Sequence, residues 1–151
     1  MLPTLFFFRL PFLPCPPFLP FLPCPPLYDR RMDKTFMFVG ALMGGVGVGL
    51  GAFGAHGLRG RLSPDMLAAF ETGVRYHMYH ALAILATAAL MPRTGGRAVV
   101  LAGWSFTTGI ALFSGSLYAL ALTGVTILGL ITPLGGVAFL VGWICLAVAA
   151  F

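Results

Sequence analysis

The side chains in this sequence that can do acid–base or ligand chemistry crowd into one stretch, FETGVRYHMYHALA at residues 70–83. It carries Glu71, Arg75, Tyr76, Tyr79 and two of the three histidines, His77 and His80. Glu71 and Arg75 are four apart with the acid first, the better order for an ion pair along a helix. At about 100° per residue, His77 and His80 share a stripe with Gly73, Ile84, Thr87 and Met91. Glu71 and Arg75 fall on another stripe, with Met78 and Leu82.

Three kinds of chemistry fit these types. Imidazole, carboxylate and phenol groups can relay protons through a membrane. His77 and His80, with His56 as a third ligand, could hold a metal ion, or one of them a haem iron. The third reading is structural, and it is preferred. Glu71 neutralises Arg75 near a membrane interface, Arg75 snorkels, the tyrosines join an aromatic belt, and the histidines bond to hydroxyls of a neighbouring helix. Ser105, Thr108, Gly115 and Ser116 form the small polar face expected to receive them. Histidines on adjacent turns are common, no cysteine lies near them, and Glu71 is on another face. No catalytic constellation is therefore assigned, and no cofactor or metal is expected.

These residues sit in a chain that water would not solvate. Of 151 residues only nine are Lys or Arg and four Asp or Glu, or 9%, while 59% are hydrophobic. A soluble domain typically carries about a quarter charged residues. The balance excludes an ordinary water-soluble enzyme, a disordered chain and a nucleic-acid binder. It leaves a polytopic membrane protein whose first partner is the lipid bilayer. The formal charge of +5 reads as basic loops that set topology. Cys15, Cys24 and Cys145 form no CxxC pair and imply neither a disulfide framework nor a zinc site.

Residues 1–31 differ from the rest. Nine of the twelve prolines lie between Pro3 and Pro26, and LPFLPCPP occurs at 10–17 and again at 19–26. Proline at that density breaks any helix, so this part is expected to be a disordered, extended tail. A tandem repeat without helical or strand period suggests translated upstream sequence, with Met32 as the true start. The intact mass of the native protein tests this.

From residue 32 onward the pattern is four helices, an all-α transmembrane bundle. Spans are expected at about 35–55, 74–91, 98–122 and 135–151. Ser63-Pro64-Asp65 is a helix start: a capping hydroxyl, proline at the first helical position, and an acid facing the dipole. Pro92 should end that second helix. Thr123-Gly124 should make a tight turn. Pro133 should kink or break the last helix, leaving 125–134 irregular or interfacial, with Thr126, Thr132 and Ser114 available to the freed carbonyls. Arg30, Arg31 and Lys34 with Arg93 and Arg97 outweigh Arg59 and Arg61, with Arg75 assigned to neither side, which favours cytoplasmic termini; a start at Met32 leaves only Lys34, Arg93 and Arg97 on that side.

All twenty glycines lie between Gly40 and Gly142. GLGAFG at 49–54 fits a dinucleotide fingerprint, but it lies inside an apolar helix with no strand before it, so helix packing is preferred. Gly40-x3-Gly44, Gly47-x3-Gly51 and Ser105-x3-Gly109 have the small-x3-small form that brings helices close in lipid, and Gly115 belongs with them.

Four blocks, GAFGAHGL (51–58), FETGVRYHMYHALA (70–83), AGWSFTTGIALFSGSLYALALTG (102–124) and ITPLGGVAFLVGW (131–143), resemble the YgdD/YwdK-like family. These are small bacterial membrane proteins grouped under a domain of unknown function and related to a eukaryotic transmembrane protein. The resemblance covers about residues 32–151 and implies a multi-pass protein of the inner membrane. It carries over no activity or cofactor, and no role for His56, Tyr76, His80, Gly115, Ser116, Tyr118, Pro133, Gly135, Gly136 or Trp143. The expected function is structural or accessory, through helix contacts with itself or a larger membrane complex. A proton-coupled or small-solute permeation unit, and a haem- or metal-binding component, are the alternatives.

Overall fold

A computed structural model describes residues 30–94 and 96–151; the expectations for the proline-rich tail before Arg30 lie outside them. The described residues contain no strand. They form α1 (Arg30–Ala52), α2 (Pro64–Thr94), α3 (Arg97–Gly109), α4 (Gly115–Thr123) and α5 (Thr132–Val148). A π-helical segment, Phe53–Leu58, prolongs α1, and another, Ile110–Ser114, joins α3 to α4. A short 3-10 helix, Thr126–Leu130, leads into α5. The result is a four-helix membrane bundle. Of its four rods the second is α2, and the first, Arg31–Leu58 (28 residues), the third, Arg97–Thr123 (27 residues), and the fourth, Thr126–Val148 (23 residues), are long and apolar enough to cross a bilayer.

Several ends differ from those the sequence suggests. α1 begins at Arg30 rather than near Thr35, and its helical run lasts through Leu58, so the loop starts at Arg59. α2 contains Pro92 and ends at Thr94. In the last turn proline gives up one hydrogen bond but has little helix left to disrupt, and Thr94 Oγ1 donates to the Leu90 carbonyl at 3.0 Å. Pro133 does not kink a helix: it sits in the first turn of α5, where its missing N–H has no partner to lose. The segment before it is helical but 3-10, with no buried residue. Gly60 and Gly124 take φ of +80° and +72°, the left-handed backbone that lets the chain reverse after the first and third rods. At the start of α2, the Ser63 carbonyl accepts from Leu67 N at 2.9 Å and its hydroxyl from Met66 N at 3.4 Å.

Two seams hold the bundle. α1 and α2 are antiparallel, and Gly40, Gly47 and Gly54 point at α2. A Cβ on Gly40 would meet Leu85 Cγ at 2.8 Å, on Gly47 Met78 Sδ at 2.5 Å, and on Gly54 the Phe70 ring at 3.2 Å. All three glycines are buried. The spacing is seven residues, two helical turns, so they lie on one line. Gly51 is looser, 3.4 Å from Val74, and Gly44 and Gly115 face open space, so neither belongs to a close contact within the bundle.

The third rod and α5 meet differently. Phe113, Gly109 and Phe106 oppose Gly135, Phe139 and Gly142 in order, with the Phe139 ring over Gly109 and the Phe106 ring over Gly142. At Gly135 the approach is to the Phe113 backbone itself, and at Gly109 to the Phe139 ring. Phe36 of α1 likewise covers Gly103, and Tyr118 of α4 covers Gly73. Phe36, Ile84, Val99, Ala102, Phe106 and Phe139 share one core, while Leu58, Phe70 and Ala121 form a second near the α1–α2 loop. α2 lies between the other rods, with Phe70, Ala81 and Ile84 wholly enclosed.

Candidate functional site

α2 delivers the candidate residues to two opposite environments. Gly73, His77, His80, Ile84, Thr87 and Met91 are buried along the inward stripe. Glu71, Arg75 and Leu82 are exposed and Met78 is half-buried. The two stripes therefore separate as helical spacing requires.

His80, only 5% exposed, is held on both nitrogens. Nδ1 lies 2.8 Å from the Tyr76 carbonyl, one turn back, and so must donate. Nε2 is then an acceptor, and the Trp143 Nε1–H of α5 donates to it at 3.3 Å. The network thus selects the neutral Nδ1–H tautomer, because a second proton on Nε2 would face the indole N–H. The ring lies flat on Phe139 (centroids 3.4 Å, interplanar angle 5°) and is flanked by Phe106 at 5.6 Å. Trp143 meets Phe106 edge-on at 5.1 Å, which closes an aromatic box around the imidazole.

His77, at 3% exposure, contacts the Tyr118 hydroxyl of α4 through Nδ1 at 3.2 Å. Its Nε2 has no hydrogen-bond partner. Ser114 Oγ, wholly enclosed at the end of the π-helical segment, is also unpartnered. Ser116 Oγ of the same rod donates to the Phe113 carbonyl (2.9 Å) and pairs with Thr132 Oγ1 of α5 at 2.8 Å.

The expected hydroxyl face is therefore not what receives the histidines. Thr108 is exposed and Ser105 half-buried, and the partners are a phenol and an indole instead. An indole N–H in an apolar helix needs an acceptor, and the imidazoles are the natural one; Trp143 carried that signal in the sequence.

The remaining candidates disperse. Glu71 and Arg75 do not pair, and the Arg75 guanidinium instead donates to Thr72 Oγ1 at 3.2 Å. His56 is exposed on the π-helical end of α1. Among the described residues no group of three His, Cys, Asp or Glu side chains could hold a metal ion, so His56 does not complete a ligand set with His77 and His80. Tyr79 is 59% exposed, whereas Tyr76 lies over Phe113 at 4.6 Å. Thr132 bonds Ser116 rather than a freed carbonyl, and Thr126 is exposed.

A family model described as a protein of unknown function, DUF423, matches residues 50–136. That range contains most of both histidine networks but stops before Trp143. The chain is similar to the UPF0382 membrane protein YwdK of Bacillus subtilis (strain 168). The two are 52% identical over 118 residues, 78% of this chain and 96% of that protein. It is also similar to the UPF0382 membrane protein SAB0533 of Staphylococcus aureus (strain bovine RF122 / ET3-1), 48% identical over 78% of this chain and 96% of the relative. The UPF0382 membrane protein SERP0230 of Staphylococcus epidermidis is 50% identical over 77% and 94%. No solved structure matches.

Proposed function

The chain belongs to the DUF423 family of bacterial UPF0382 membrane proteins, and from that footing we propose that it is a non-enzymatic structural or accessory component acting through helix–helix contacts with itself or a larger membrane complex. The observation that carries this reading is the commitment of His80, one of the two enclosed imidazoles. Both its nitrogens are spent on Tyr76 and Trp143, and its face is covered by Phe139. A group so engaged clamps α2 to α5, and is not poised to exchange protons or bind a substrate.

Contacts with other helices would then use the outward side of α1. Gly45 and Gly49 are exposed there, and a Cβ at either meets nothing within 4 Å. Gly45→Leu with Gly49→Leu should leave the helical content unchanged and reduce cross-linked or co-purified species from the native membrane in mild detergent. Unchanged size and unchanged co-purification would defeat the proposal.

One observation favours the permeation alternative: His77 Nε2 and Ser114 Oγ are enclosed without partners, and polar atoms at membrane depth usually find water or function. In proteoliposomes, His77→Phe and Glu71→Gln would then abolish a pH-dependent flux that the parent chain sustains. A parent chain without such a flux removes this alternative.

A further inference from the structure

Shape and charge coincide at the mouth of the α1–α2 seam. A groove of about 290 Å3 runs between Gly51, Gly54 and Ala55 on one wall and Phe70, Glu71, Val74 and Arg75 on the other. Its apolar lining comes from the two glycines, Phe70 and Val74. Its rim carries one carboxylate and one guanidinium, both exposed and not paired with each other. The guanidinium spends a single N–H on Thr72 and keeps the others for a ligand.

The depth of these charges follows from length. α2 has 31 residues, about 46 Å at 1.5 Å per residue, against about 30 Å of hydrocarbon. With the crossing stretch at 74–91, most of the surplus, 64–73, lies at the Pro64 end, beside the loop bearing Arg59 and Arg61. Glu71 and Arg75 therefore stand in the headgroup layer, with Arg75 about 6 Å deeper.

We infer that the groove binds one zwitterionic phospholipid whose headgroup ends in a primary ammonium, as in phosphatidylethanolamine. The charge order matches: in such a lipid the phosphate lies deeper and the ammonium further out, as Arg75 and Glu71 do. The two side chains sum to no net charge, so an anionic headgroup gains on Arg75 what it loses on Glu71. A choline headgroup satisfies the charges but cannot donate a hydrogen bond to the carboxylate. The glycerol end and first methylenes rest against Gly51, Gly54 and Val74. This inference does not depend on the accessory role proposed above.

The test is native mass spectrometry of the full chain in mild detergent, with dioleoyl lipids bearing ethanolamine, choline or glycerol headgroups added in equal amounts. One ethanolamine lipid should be retained about three- to fivefold better than the other two, the scale of a partly exposed ion pair. Glu71→Gln should erase the preference over choline. Arg75→Gln should weaken retention of all three lipids. Ala55→Trp, on the exposed wall, should block retention with helical content unchanged, which keeps the test valid if a charge variant folds poorly. Equal retention of the three lipids by the parent chain would overturn the inference, as would a preference that survives Glu71→Gln or Ala55→Trp. Displacement by equimolar soluble phosphoethanolamine would overturn the assignment to a lipid.

Discussion

The seam between α1 and α2 and the seam between the third rod and α5 are both made by glycine, yet they are built on opposite plans. Between α1 and α2, one helix supplies all the glycines, Gly40, Gly47 and Gly54, and the other all the bulk, Leu85, Met78 and Phe70. Across the second seam each helix alternates, so that Phe106, Gly109 and Phe113 meet Gly142, Phe139 and Gly135. A one-sided seam allows close approach but discriminates poorly between registers, because a slide exchanges one side chain over glycine for another. A reciprocal seam penalises sliding, because displacement sets ring on ring and glycine on glycine, giving clash and void together. Close approach and register are thus separate properties, and this bundle obtains them in different places.

Single methyl groups can break or sharpen that contrast. The largest effect is expected at Gly135, where an added Cβ lands on the Phe113 backbone N and Cα, which cannot move without moving the rod. Gly135→Ala should cost about 3 kcal/mol or more in reversible unfolding in micelles, at the upper end for overpacking. Next comes Gly142→Ala, which would put Cβ 2.5 Å from the Phe106 ring. A loss of about 1–3 kcal/mol is expected, and Phe106→Leu in the same chain should recover part of it, as a double-mutant cycle would show. Trp143→Phe keeps the edge contact but leaves His80 Nε2 without a donor. It should cost about 1 kcal/mol, while His80→Phe on top of it should cost less than the two changes apart.

Gly47→Ala should be milder, below about 1 kcal/mol, because its obstacle is the flexible Met78 thioether. If Gly47→Ala proved as damaging as Gly135→Ala, the distinction between the seams would be lost. Gly44→Ala meets nothing within 4 Å and should be neutral, or gain up to about 1 kcal/mol from helix propensity. A marked loss there would mean that this face is already occupied.

What the sequence disclosed follows the reach of its signals. Ser63-Pro64-Asp65 and Gly124 act on their own backbone, and both boundaries stand where those residues put them. The inward stripe of α2 is a local periodicity and was equally legible. The partners on the far side of that stripe depend on how separate helices align, which no local pattern records; hence Tyr118 and Trp143 take the places expected of serines and threonines. Four-residue spacing singles out Gly44 and leaves Gly54 only within GLGAFG, whereas the α1–α2 seam uses a spacing of seven. The alternation in FTTGIALF and GGVAFLVG is visible once ring and glycine are treated as one motif. Pro92 and Pro133 suggest breaks, but near a helix end proline removes little.

The enclosure of α2 bears on how the chain enters a membrane. Its two imidazoles, with Glu71 and Arg75, make it the least oily rod, and the other three are the ones long and apolar enough to cross a membrane. A helix of that kind gains most by crossing while already leaning on α1, as half of a hairpin whose glycine line shields one flank. Truncations ending after Thr94, scored by glycosylation mapping, should therefore insert α2 efficiently behind native α1 and poorly behind an all-leucine substitute. Equal efficiency would mean that α2 integrates without its neighbour.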